Sequence, residues 1–473
     1  MAIYSAAAAA TILAFYPSVA TAASGSTHSC VVLGDTSVKC FGSNSYGQLG
    51  QGDALTRGLS EIDMGDNLPA VPLDGENFEA ASVHSGEDFN CAVSVNGNVK
   101  CWGLNSHGQL GLGDIETRGD LNGGVFEMGN NLPTVDLGSG VLVDSMSLGG
   151  STACAVTVGG LVKCWGKNDG GQLGLGDILN RGDEAGEMGS SLPFVDLGTG
   201  VVAWSVTVGS RHACAVIDPG VVKCWGNNNG GQLGYEDQIQ RGTGVLSDGV
   251  GLMGDRLAVV DLGVDQRAVA VAAGYYHTCA LLYAGDVKCW GFGASGQLGQ
   301  GSNATIGDTP GTMGDNLAPI DLGTGRTAVA VALGGTHTCA VLDDGSMKCF
   351  GSNAFGSLGL GDDIPRGMAP GEMGDDLPVV PLTFGDGMGA VSSATAGAYH
   401  TCAFGTEGGV ACFGSNSFGQ LGAGSSAESL GDNPGEIEEL ASIDLGEGAT
   451  VVAPPTPDFP TPSPAQIGES PVH

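Results

Sequence analysis

The sequence predicts an all-β fold, a seven-bladed β-propeller of four-stranded antiparallel blades with one disulfide inside each blade. Three observations predict it. First, all 14 cysteines fall into pairs ten residues apart: Cys30 and Cys40, Cys91 and Cys101, Cys154 and Cys164, Cys214 and Cys224, Cys279 and Cys289, Cys339 and Cys349, Cys402 and Cys412. Their first members are 60 to 65 residues apart, so the chain is seven units of nearly equal length. Second, the apolar pattern inside each unit has the period of strands and no convincing helical period. Third, Gly makes up 85 of 473 residues without a three-residue period, which excludes collagen and indicates a turn-rich β architecture.

Each unit opens on an alternating run of small and β-branched residues such as Ala268-Val269-Ala270-Val271-Ala272, the first strand. A second strand begins at a phrase such as His337-Thr338-Cys339-Ala340, and a Gly-containing turn leads into a third, Lys348-Cys349-Phe350-Gly351. Gly-Gln-Leu-Gly follows in most units, as in Gly108 to Gly111 and Gly231 to Gly234. A longer polar stretch with Arg-Gly and Met-Gly pairs then leads to a short apolar run such as Phe194-Val195-Asp196-Leu197-Gly198, the expected fourth strand. Radial repetition of four-stranded blades protects most sheet edges. An open solenoid is the competing geometry, and a ring is favoured because seven lies in the usual blade range and the two chain ends complement one another.

The recurring His-x-Cys-Ala, Lys-Cys-Trp-Gly-x-Asn and Gly-Gln-Leu-Gly-x-Gly-Asp phrases resemble the repeat of the regulator of chromosome condensation family, over about residues 19 to 453. The resemblance implies a seven-bladed propeller. It implies function far less sharply, because that scaffold serves as an exchange factor for a small GTPase, as a protein inhibitor and as an interaction platform.

In Cys154-Ala-Val-Thr-Val-Gly159-Gly-Leu-Val-Lys-Cys164 the turn lies midway, which sets the two cysteines opposite one another on a hairpin. Opposed residues bring their Cβ atoms to about 4.5–5.5 Å, near disulfide geometry. Buried thiols are the alternative. Zinc fits less well, since each blade supplies two thiolates where about four ligands are needed. Cystines in every blade predict an oxidising compartment, extracellular or at the cell surface.

The ends agree with export. Residues 1–23 have an Ala-rich apolar stretch from Ala6 to Phe15 and small residues at Thr21-Ala22-Ala23, the order of a signal peptide and its cleavage site, although a basic start is missing. The competing reading makes Val19 to Gly25 the inner strand of the first blade. Ala449 to Ala453 is a second candidate for that slot. The expected domains are therefore a signal peptide at 1–23, the propeller at 24–453 and a Pro-rich disordered tail at 454–473, with a surface stalk as the other reading of the tail. Beyond the leader, no segment reaches the roughly 18 apolar residues of a membrane span.

Sixteen basic against 51 acidic residues give a net charge of −35, which disfavours phosphate and therefore nucleic acid or anionic membranes. Five units place His two residues before the first cysteine (His28, His212, His277, His337, His400), where the others have Phe89 and Thr152. One imidazole per blade disperses around a ring, so these are expected to be structural, with no metal site. Six of the seven lysines (Lys39, Lys100, Lys163, Lys223, Lys288, Lys348) directly precede the second cysteine, and Arg57, Arg118, Arg181, Arg241 and Arg366 sit in Arg-Gly pairs. Arg118-Gly119-Asp120 and Arg181-Gly182-Asp183 spell an adhesion tripeptide, read here as coincidence. Asp114, Asp177, Asp362, Asp66, Asp255, Asp315 and Asp375 recur at loop ends without the ordered spacing of a calcium loop, so a solvated surface is expected. Asn303-Ala304-Thr305 is a glycosylation sequon.

No motif breaks the repeat to offer a unique convergence of catalytic groups, and no catalytic residue or cofactor is expected. The leading functional expectation is a secreted or cell-surface protein-binding module, monomeric, with its partner on the inter-strand loops of one rim. The segments Ile115 to Asn131, Ile178 to Ser191 and Gln238 to Asp255 are the candidates for that rim. The alternatives are a guanine-nucleotide exchange factor for a small GTPase and an exported protein inhibitor.

Overall fold

The computed structural model describes residues 21–73, 78–120, 127–244, 253–382 and 389–452. The expected leader up to residue 20, the tail from 453 and parts of two rim segments (121–126 and 245–252) lie outside the described residues.

Seven antiparallel sheets follow one another along the chain. Blade 1 comprises Ala22–Ser24, His28–Val32 and Val38–Gly42, and blade 2 Ala80–Ser85, Phe89–Ser94 and Val99–Gly103. Blade 3 comprises Val143–Gly149, Thr152–Thr157 and Val162–Gly166, and blade 4 Ala203–Val208, His212–Ile217 and Val221–Gly226. Blades 5 and 6 comprise Ala268–Ala273, His277–Leu282 and Val287–Gly291, then Ala328–Leu333, His337–Leu342 and Met347–Gly351. Blade 7 has Val391–Ala396, His400–Gly405, Val410–Ser415 and a fourth strand, Ser429–Leu430.

The apolar run expected to be the fourth strand, Phe194 to Gly198 for example, forms no strand; among the described residues a fourth strand pairs only in blade 7, at the position that Arg-Gly holds in other units. In the other six it shrinks to one bridge, Gly42 to Arg57, Gly103 to Arg118, Gly166 to Arg181, Gly226 to Arg241, Gly291 to Ile306 and Gly351 to Arg366. A glycine with positive φ follows the bridging residue in all seven units, Gly58 at +104° and Gly431 of blade 7 at +98° among them, and turns the chain off the sheet edge beyond that residue. Blade 7 differs on the preceding side, where Ser429 pairs with Ser415. The chain rejoins the outer strand at its far end, where Val71 N–H donates to Val38 O. The long segment between therefore runs down the outer flank of its blade from one face of the ring to the other.

Middle strands such as His337–Leu342 are buried at every position, their polar members included. The cysteines pair within blades as the hairpin register predicts, Cys279 opposite Cys289 for example. All seven cystines form, with Cα atoms 4.0 to 4.1 Å apart. That is closer than a hydrogen-bonded pair and marks the non-hydrogen-bonded ladder position.

The hydrophobic core is divided among the interfaces between blades. One cluster joins Cys154 and Val156 of blade 3 to Ala213 and Trp225 of blade 4. Another joins Val31 and Phe41 of blade 1 to Phe404 and Val410 of blade 7. This last cluster closes the ring. The inner slot of blade 1 is shared by both chain ends: Ala22 and Ala23 pair with Val31 and Cys30, while Val451 bridges Leu33.

Candidate functional site

The repeated polar side chains divide by what they hold together. The histidines join neighbouring blades. His212 Nε2 lies 2.9 Å from Thr278 Oγ1, His277 3.0 Å from Thr338, His337 2.9 Å from Thr401 and His400 3.0 Å from Ser29 Oγ. His28 reaches Asn90 Oδ1 at 2.9 Å. Each hydroxyl has one proton; that of Thr338 goes to Gln297 O and that of Thr278 to Gln232 O, so Nε2 is the donor, and the buried Nδ1 of His212 and His277 has no partner, as fits a ring without a second proton. Burial drives these rings down to a pKa of about 3 for His212, His277 and His400 and about 4 for His28 and His337. A glycine three residues before each ring is required for space, because a Cβ at Gly25, Gly209, Gly274, Gly334 or Gly397 would meet the imidazole at 2.2 to 2.4 Å.

The two units without His follow the same pairing logic. Phe89 shares an apolar cluster with Ala153 of the next blade, which occupies the place of the accepting threonine. Thr152 turns its hydroxyl to Lys167 O at 2.9 Å, and the corresponding residue of the next blade is Ala213. Substitution at this position is therefore coupled across the blade interface, a signal that lies in the sequence once blade n is read against blade n+1.

The lysines pin loops on the opposite, lower face, where the cystine hairpins turn. Lys223 Nζ donates to Leu197 O (2.7 Å) and Gly254 O (3.0 Å), and Lys288 to Leu262 O (2.8 Å) and Gly314 O (3.0 Å). Burial lowers the pKa of both, opposed by the neighbouring carboxylates, Asp255 and Asp196 for Lys223, Asp315 and Asp261 for Lys288. A cation is thus already built in beneath these acidic pairs. Asp255 and Asp375 also accept from the backbone and hydroxyl of Thr199 and Thr324, which lowers their pKa, and Asp315 accepts from Val264 N–H. Among the described residues no three His, Cys, Asp or Glu side chains are grouped to hold a metal ion.

On the upper face, where the inner and middle strands connect, Asp53, Asp114, Asp177, Asp237 and Asp362 bind the arginine four residues on at 2.6 to 2.8 Å. The Arg57 guanidinium, foremost among its contacts, holds Asp53 below the usual carboxylate range. Arg118 and Arg181 are engaged in this way and Asp120 is buried, so neither Arg-Gly-Asp sequence is presented as a flexible adhesion loop. Asn303 is exposed.

The face itself converges on the channel. Seven turns, Gly25 and Ser26 of blade 1 through Gly397 and Ala398 of blade 7, ring a cavity of about 100 Å³ at its mouth. Tyr275 of blade 5 crosses this mouth to hydrogen bond Ser26 Oγ at 2.7 Å, and burial raises its pKa to about 12. Glu87 and Asp88 of blade 2 lie in its electrostatic neighbourhood. Asp88 is pushed up to about 6, first by burial and then by Glu87. No described residue of the expected rim segments lines this mouth.

Residues 19–48, 81–109, 268–297, 328–357 and 391–420 match one model of the regulator of chromosome condensation (RCC1) repeat, and 284–341 match a second. The chain is 29% identical over 428 residues to the ultraviolet-B receptor UVR8 of Arabidopsis thaliana, covering 90% of this chain and 82% of that protein. It is 27% identical over 306 residues to the E3 ubiquitin-protein ligase HERC2 of Homo sapiens, covering 63% of this chain but 6% of that ligase. Yeast RCC1 (Prp20), in its structure bound to Kap60, superposes with a TM-score of 0.62 at 19% identity, covering 86% of this chain and 83% of that one. Human WBSCR16 superposes with 0.58 at 18%, covering 81% and 85%. With seven in-phase units closed into one ring and the repeat models matching blades 1, 2, 5, 6 and 7, the chain carries repeats of the regulator of chromosome condensation type.

Proposed function

We propose that this protein is an exported or surface-displayed, disulfide-reinforced propeller that binds a protein partner and performs no chemistry of its own. The observation that carries the reading is the engagement of the repeated polar groups. The interblade histidines, the loop-pinning lysines and the Asp–Arg pairs are all engaged inside the framework, so the side chains free to meet a partner are those that differ from unit to unit on the faces. Cystines in all seven blades support an oxidising compartment. The proposed leader at 1–23 and Pro-rich tail at 454–473 complete this reading. Removal of the leader takes Ala22 and Ala23 from the inner slot of blade 1 and leaves Ser24 with the C-terminal segment around Val451.

Protein partners are also named for relatives of this fold: the structure of Saccharomyces cerevisiae Prp20p is described with its binding properties to Gsp1p and histones. The test is to sequence the amino terminus and map peptides without reduction on natively produced protein. A terminus near residue 24 and seven intrablade pairs are expected, and Met1 with free thiols would overturn export. The exchange-factor alternative predicts accelerated release of labelled nucleotide from small GTPases. Release at the intrinsic rate is the expected result.

A further inference from the structure

Exposed aromatic side chains are distributed very unevenly over this ring. Among the described residues seven are exposed, and six of them lie on the upper face: Tyr276 and Phe292 of blade 5, Phe355 of blade 6, Tyr399 and Phe418 of blade 7 and Tyr46 of blade 1. They are 39% to 48% exposed and form an arc over four consecutive blades. The same positions in blades 2 to 4 carry His107, Lys167, Asp88 and Arg211 among others, so the arc is no part of the repeat. The arc is tied together by an edge-to-face contact between Phe355 and Tyr399 at 5.8 Å, and Tyr276 packs edge-on against Tyr275 at the channel mouth. Phe355 is held at φ of +64°, a backbone region that a bulky residue rarely adopts, and its ring points to solvent rather than into a core.

Charge identifies the occupant. Where the arc ends on Tyr46, whose N–H donates to Gln48 Oε1, Gln48 in turn donates to Asp88 Oδ1 at 3.3 Å, which places the Asp88 carboxylate next to the aromatic surface, and Glu87 beside it lines the channel mouth. The basic side chains Lys167 and Arg211 of this face are both bound to Asp169, at 3.5 and 2.8 Å. The molecule as a whole carries −35. Aromatic faces attract ammonium and guanidinium groups, and exposed aromatic clusters are the usual anchors of protein interfaces. We propose that the upper-face arc is a docking surface for a basic protein segment, whose Lys or Arg side chain enters the channel mouth beside Glu87 and Asp88 while its apolar neighbours pack on Phe355, Tyr399 and Tyr276. The proposal rests on the protein-binding reading above and specifies where and with what chemistry it operates.

The experiment is selection of a displayed random-peptide library on the intact, oxidised protein, followed by binding of the selected synthetic peptides. Enrichment of Lys or Arg beside aliphatic or aromatic residues is expected. Replacing Tyr276, Phe355 and Tyr399 together by Ser should weaken the selected peptide by about tenfold or more. The pair Glu87→Gln and Asp88→Asn should weaken it and flatten its salt dependence. The lower-face variant Phe194→Ser should change nothing. Unaltered cystine mapping and melting of each variant separates loss of binding from loss of fold. Acidic peptides, or basic peptides indifferent to all upper-face variants, would overturn the docking surface and leave the protein-binding reading standing. Failure to select any peptide, with binding to an oligosaccharide array instead, would overturn both.

Discussion

Replacing Thr338 by alanine removes one hydroxyl but strands two other groups, the buried His277 Nε2–H and the Gln297 carbonyl. A loss of about 1–3 kcal/mol is expected by chemical denaturation, because a buried donor without a partner loses its full solvation. The double variant His277→Phe with Thr338→Ala reproduces the Phe89–Ala153 arrangement already present between blades 2 and 3, and it should be more stable than Thr338→Ala alone. Acid sensitivity belongs to the same residues. Their folded pKa values of about 3 to 4 lie below the ordinary 6.5, so the folded state binds fewer protons than the unfolded one. Stability is then fully present above pH 6.5 and declines as pH falls toward the folded values, by up to about 1.4 kcal/mol per histidine per pH unit. Denaturation series at pH 7 and 5 should show this slope, and it should be shallower in the double variant.

At the scale of the blade, the cystine hairpin and the Asp–Arg loop reinforce opposite ends of a unit that has little core of its own. Most of each hydrophobic cluster is assembled only when a neighbour is present, as with Val216 of blade 4 and Leu282 of blade 5. Removing one cystine through Cys279→Ala with Cys289→Ala should lower stability on the order of 3 kcal/mol in the chain-entropy picture. A thermal melt compared with the parent protein measures it, and no change would mean that packing between blades alone fixes the hairpin. The expected fourth strand was misplaced at this scale: the apolar run Phe194 to Gly198 touches the outer strand through Val195 N–H to Val162 O without forming a strand, and the residue that does bridge the sheet edge is Arg181 of the Arg-Gly pair.

For the whole molecule the question is how the ring is held shut. His400 binds Ser29 across 371 residues of sequence, Gly397 packs against the Gly25 carbonyl, and Val451 completes the inner slot of blade 1. Truncation before Ala449 exposes the cluster containing Val451, Leu33 and Leu445 and removes the Val452 N–H donor to Val32 O. A loss of about 2 kcal/mol or more is expected from the buried valine alone, and the melting transition should broaden as blades 7 and 1 separate first. An unchanged melt would show that the His400–Ser29 hydrogen bond and the apolar cluster between blades 7 and 1 suffice for closure.

What the sequence determined by itself is everything that a unit encodes within its own 60-odd residues: the number of blades, the cysteine register and the strand order. These rest on separations of a few residues, where spacing alone decides which side chains oppose one another across a hairpin. Tertiary structure decided the rest, because the partners lie in the next unit or at the other end of the chain. That His277 needs Thr338, that Lys223 holds the backbone of two loops, and that both chain ends share one strand position follow only once the ring is closed. The aromatic arc is of the same kind. Its six residues are scattered from Tyr46 to Phe418 in the sequence, and only the circular arrangement of blades makes the first and last of them neighbours on one face.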